Sequence, residues 1–92
     1  MLGDNYLKTM IGMNNQQIKS VITLILSRLG VNAKKVSLYS EYSNDFGFND
    51  SEFNLFLYYI EKYFGIAILP SEESQLRTVS NTVDYVKTHL VS

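Results

Sequence analysis

The chain has no cysteine, a single histidine, a single proline and no long apolar run. Without cysteine it has no disulfides, no thiolate chemistry of its own and no cysteine metal site. The histidine, His89, stands near the C-terminus, where a solvent-facing helix-end residue is the expected use. No serine–histidine–acid constellation, metal cluster or phosphate-cradling glycine loop can be assembled from the remaining residues, so an enzyme in its own right is not expected. No stretch approaches the roughly 20 apolar residues that cross a bilayer. The N-terminus also lacks the basic start and apolar core of a secretory signal, which makes a cytoplasmic protein the expectation. Lys34 and Lys35 are the only adjacent bases, which argues against a nucleic-acid partner.

What is present suits one small domain. Ninety-two residues, 46% of them apolar, allow a modest core. The net charge of −1 is unevenly spread. Residues 1–40 carry five bases against one acid, whereas residues 41–73 carry seven acids against Lys62 alone. Such an acidic middle either decorates solvated faces and helix starts or attracts a basic protein surface.

Taken in order, residues 1–12 read as an N-terminal extension ahead of a domain at 13–92. Leu2, Tyr6, Leu7, Met10 and Ile11 recur at near-helical spacing there, compatible with a short amphipathic turn or a frayed extension. A first helix follows, capped by Asn14 or Asn15, with Ile18, Val21, Ile22, Ile25 and Leu29 on one stripe. Gly30 supplies the left-handed residue that closes it. Residues 31–49 form a long connection anchored by Val31, Val36, Leu38, Tyr42 and Phe46. The second helix starts at Asn49, whose side chain and that of Glu52 form a capping box. At about 100° per residue, Phe53, Phe56, Leu57, Ile60 and Phe64 share its core face. Leu55 and Tyr58 lie opposite with Ser51 and Lys62, and Tyr59 sits beside them. Either the long loop or the extension buries these apolar residues, or they form a docking patch. Gly65 ends the helix, Ile66–Pro70 is extended, and Ser71 caps a short acidic turn. Thr78 caps a last helix that buries Val79, Thr82, Val83, Val86 and Leu90.

The ordered set of Leu29-Gly30-Val31, Asp45-Phe46-Gly47, Ile60 to Ile66, Pro70 to Glu73 and Thr78 to Val86 resembles the acyl carrier protein family, from about Met13 to Leu90. The resemblance implies an all-α, acyl-carrier-like four-helix bundle: three main helices, one short helix and a long first loop. It also implies a place in fatty acid or polyketide biosynthesis, and a 4'-phosphopantetheine arm on a serine that opens the second helix. Such an arm would carry an acyl or related thioester. Counting forward from Gly47 and back from Phe64 both put Asp50 at that serine's position, so Asn49-Asp50-Ser51 stands where the family has Asp-Ser-Leu. A carboxylate cannot accept the arm. Ser51, one residue late, is the remaining hydroxyl, and loss of the arm is the leading expectation. The resemblance further implies carrier-type partner enzymes or a dedicated protein partner meeting Asp50, Glu52, Leu55, Tyr58, Tyr59, Glu61 and Lys62. Glu52 and Glu61 match the family's docking acids, whereas Leu55 replaces an acid and Lys62 reverses one. A monomer with neither catalytic nor metal-binding residues is expected.

Overall fold

The computed structural model describes residues 12–90. The extension and its expected amphipathic turn lie almost wholly outside the described residues. Three α-helices organise the rest: α1 at Asn15–Arg28, α2 at Asp50–Phe64 and α3 at Val79–Leu90. Short 3-10 segments occupy Ala33–Lys35 and Pro70–Gln75. Among the described residues the only extended pairing is an isolated bridge between Glu41 and Thr78. The described residues form the expected all-α bundle, with three main helices, the expected short helix at Pro70–Gln75 and a further 3-10 turn at Ala33–Lys35.

Each main helix begins where a side chain can satisfy amides that have no intrahelical acceptor. Asn14, not Asn15, caps α1: its Oδ1 accepts the Gln17 amide at 2.8 Å, while Gln17 Oε1 accepts the Asn14 amide at 2.9 Å. Gly30, at φ +95°, closes the helix. The Gly30 and Val31 amides donate back to the Ser27 and Leu26 carbonyls at 3.1 and 3.0 Å, a Schellman ending. Thr78 caps α3 as expected, its hydroxyl accepting the Asn81 amide at 3.1 Å. The short helix departs from expectation, because Pro70 opens it and no side chain caps it. Proline's preset φ suits a first helical position, so Ser71 falls inside the turn.

The core lies between the three helices. Ile18, Ile22, Ile25 and Leu26 of α1 meet Phe56, Leu57, Ile60 and Phe64 of α2 and Val79, Val83 and Val86 of α3. Val21, Leu29, Phe53 and Leu90, placed on core stripes by spacing, are only half-buried, whereas Leu26 is fully enclosed. Burying one such large side chain contributes about 1.5–3 kcal/mol. The long connection anchors through Val36, Tyr42 and Phe48, while Leu38 stays 40% exposed. Tyr42 sits at its centre. Its ring is 4.6 Å from that of Phe56, and its hydroxyl hydrogen-bonds to Thr82 Oγ1 at 2.6 Å. The same loop satisfies the start of α3, where the Val79 and Ser80 amides donate to the Ser40 and Leu38 carbonyls at 3.0 and 2.9 Å.

Candidate functional site

The lead-in to α2 is a turn held by its own polar side chains. The Asp45 carboxylate accepts the Glu41 amide at 2.7 Å, and Asn44 donates to Glu41 Oε1 at 2.7 Å. Gly47 takes φ +69°. That left-handed geometry would strain any residue bearing a Cβ. The Phe48 amide then returns to the Tyr42 carbonyl at 3.0 Å, tying the turn to the buried tyrosine. This delivers Asn49 as the cap of α2, with both halves of the expected capping box present: Glu52 N to Asn49 Oδ1 at 2.8 Å, and Asn49 N to Glu52 Oε1 at 3.0 Å. Two acids of the region, Asp45 and Glu52, are therefore engaged as backbone caps.

Asp50 and Ser51 occupy the first and second positions of α2, and both are exposed. A carboxylate at a helix start is favoured by the helix dipole. Asp50 lines a cleft of about 280 Å³ toward the 3-10 helix, together with Tyr42, Phe48, Phe53, Glu73 and Arg77. Glu52 lines a broader groove of about 800 Å³ on the other flank, beside Leu29, Tyr39, Phe46 and Phe48. Ser51 lines neither cleft. Its hydroxyl has no hydrogen-bond partner among the described residues. A phosphopantetheine arm needs an alcohol to form its phosphodiester. Asp50 does not fit that requirement; Ser51 does, chemically, one residue further round the helix.

Farther along α2, Leu55 is 43% exposed and Tyr58 53%, with Tyr59 half-buried. Burial under the long loop is thus ruled out for Leu55 and Tyr58. The Tyr58 and Tyr59 rings meet edge-on with centroids 5.7 Å apart. Lys62 Nζ sits 5.9 Å from the Tyr58 ring centroid, within cation–π range. Tyr63, which the spacing did not single out, joins this patch through Tyr59, their ring centroids 6.5 Å apart, and it also holds Arg28 of α1. The Arg28 guanidinium donates to the Tyr63 hydroxyl at 2.6 Å and lies 5.8 Å from its ring centroid. No local pattern could reveal a pair 35 residues apart. Glu61 behaves differently from its neighbours. It is half-buried, and its Oε2 accepts the Ile68 amide at 2.9 Å, pinning the extended segment after Gly65.

The interior behind the site is filled by rings. Tyr42, Phe46, Phe48, Phe53 and Phe56 form one cluster, each in ring contact with at least two others. Burial pushes the Tyr42 phenol well above its ordinary range, against a smaller opposing effect of the Thr82 hydrogen bond. No buried side-chain polar atom among the described residues lacks a partner.

No protein-family model matches the chain. It is 29% identical over 72 residues to the acyl carrier protein of Porphyromonas gingivalis, in each of two strains. The match covers 78% of this chain and 92% of the relative. No helix among the described residues is long and apolar enough to cross a membrane.

Proposed function

Because the chain is a divergent relative of the acyl carrier proteins, we propose that it is a carrier-derived docking domain whose usual attachment position is closed. In this reading α2 meets a protein partner through Leu55, Tyr58, Tyr59 and Lys62, with Asp50 and Glu52 as fixed negative charge at one end. Asp50 carries the proposal. In the uninterrupted register from Gly47 to Phe64, a carboxylate stands where an arm would need an alcohol. The outward face supports the same reading, since an exposed leucine–tyrosine strip suits a partner more apolar than one built to meet acids. Glu61 contributes less, because its carboxylate is engaged by the Ile68 amide.

A second reading keeps the arm and places it on Ser51, whose exposed hydroxyl supports it. The domain would then carry an acyl or related thioester among carrier-type enzymes. Intact mass spectrometry separates the two. After incubation with coenzyme A and a permissive phosphopantetheinyl transferase, the wild-type mass is expected to stay unchanged. The triple variant Asn49→Asp, Asp50→Ser, Ser51→Leu, which rebuilds the family motif on the same helix, is expected to gain the arm. A wild-type gain that Ser51→Ala abolishes would replace the first reading with the second.

A further inference from the structure

The outward stripe of α2 is self-complementary. Ser51, Leu55, Tyr58 and Lys62 follow one line on the helix surface, spanning about 16 Å. Their spacing is symmetric about a point between Phe56 and Leu57, so a second α2 laid antiparallel across it sets Ser51 against Lys62 and Leu55 against Tyr58. The charges obey the same symmetry. Asp50 and Glu52 flank Ser51 at one end, while Lys62 occupies the other end. A two-fold pairing therefore brings the ammonium of each copy to the acidic end of its mate, where Asp50 and Glu52 carry the charge, at both ends of the contact. The centre is apolar and exposed, at Leu55 and Tyr58. Arg28, held on Tyr63, adds a cation beside the basic end, and Leu24, four residues before Arg28 on the same face of α1, is 50% exposed.

We propose that the partner this face fits is a second copy of the chain, in a symmetric antiparallel α2–α2 dimer. An isologous contact needs a patch that is its own complement, and this helix carries one in both apolar spacing and charge. The proposal rests on α2 being a docking surface, and it departs from the monomer expected on sequence.

Sedimentation equilibrium of the full chain, from micromolar to millimolar concentration, is the test. The expected result is a concentration-dependent rise toward twice the 10.5 kDa chain mass. Leu55→Glu, which drives a charge into the centre of the contact, is expected to raise Kd about thirtyfold or more. Ser51→Lys and Lys62→Glu are each expected to weaken the dimer about tenfold, by setting like charges opposite one another. The double variant is expected to bind more tightly than Lys62→Glu alone, because the introduced lysine then faces the introduced glutamate directly, with Asp50 and Glu52 still beside it. Circular dichroism controls for folding, all three positions being exposed. A full chain that stays at 10.5 kDa throughout overturns the proposal, whether the face is bare or covered by residues 1–11. A dimer indifferent to Leu55→Glu, or one no tighter in the double variant than in Lys62→Glu alone, overturns it as well. The carrier-derived reading fails separately: an arm found on Ser51 is seen in the mass whatever the sedimentation shows.

Discussion

Tyr42 is the side chain on which the long loop, α2 and α3 meet. Its ring packs on Phe56, and its hydroxyl bonds to Thr82 inside the core. A buried phenol without such a partner would cost about 1–3 kcal/mol, offsetting much of what its ring contributes, so the pair is best understood as a unit. Replacing Tyr42 with Phe keeps the ring and leaves the Thr82 hydroxyl its weaker bond to the Thr78 carbonyl at 3.3 Å. A loss of about 1 kcal/mol is expected in urea unfolding at neutral pH. The pH dependence is the sharper readout. Burial raises the folded phenol above its ordinary value of 10.0. The stabilisation is therefore fully present below that value. As pH rises past it, the unfolded chain loses a proton that the folded chain retains, and stability falls by up to about 1.4 kcal/mol per pH unit. Tyr42→Phe should flatten most of this alkaline slope. Some should remain, because Tyr85 is also raised, by burial and then by its hydrogen bond to Glu72. An alkaline slope unchanged in Tyr42→Phe would mean that another group sets it.

At the scale of elements, the helix ends are where sequence and structure agree most closely. Asn14 with Gln17, Asn49 with Glu52 and Thr78 with Asn81 bond across three residues, so spacing alone can announce them. Gly65 belongs to this group. It takes φ +66°, and a Cβ added there would meet nothing within 4 Å, which isolates the backbone contribution from packing. Gly65→Ala is expected to cost about 1 kcal/mol in chemical denaturation, with Gly65→Asn costing less because asparagine tolerates the left-handed region. An alanine variant as stable as wild type would show that α2 ends by another route. The long loop was less legible. Its anchors Val36 and Tyr42 stood out as isolated apolar residues. Phe48 and the buried Ser40 did not, because their burial depends on what lies across the bundle and not on their neighbours in sequence. The outward strip of α2 was visible as a pattern, but Leu55 and Tyr58 could not be assigned to loop or solvent until the loop's path was known. The count that sets Asp50 in the family's serine slot runs from Gly47 to Phe64, and α2 is unbroken from Asp50 to Phe64.

For the molecule as a whole, the tie between the long loop and α3 decides how it unfolds. The first amides of a helix usually exchange quickly, having no intrahelical acceptor. Here Val79 and Ser80 donate to the Ser40 and Leu38 carbonyls, and the Tyr42 amide donates to the Arg77 carbonyl at 3.1 Å. These bonds break only if the loop lifts from α3, and lifting it pulls Tyr42 out of the ring cluster and breaks its bond to Thr82. Releasing the loop should thus be nearly as costly as losing the core, so the domain should open as one cooperative unit. Native-state hydrogen exchange provides the measurement. The Tyr42, Val79 and Ser80 amides are expected to show protection close to that of Ile22 or Ile60 in the helix interiors. Asp50 and Ser51, in the first turn of α2, should exchange far faster, because Asn49 caps the Glu52 amide and leaves theirs to solvent. Protection at Val79 and Ser80 falling to the level of Asp50 would mean that the loop moves independently. The ring cluster would then open to solvent without global unfolding, and α2 would lose the fixed platform that both docking proposals require.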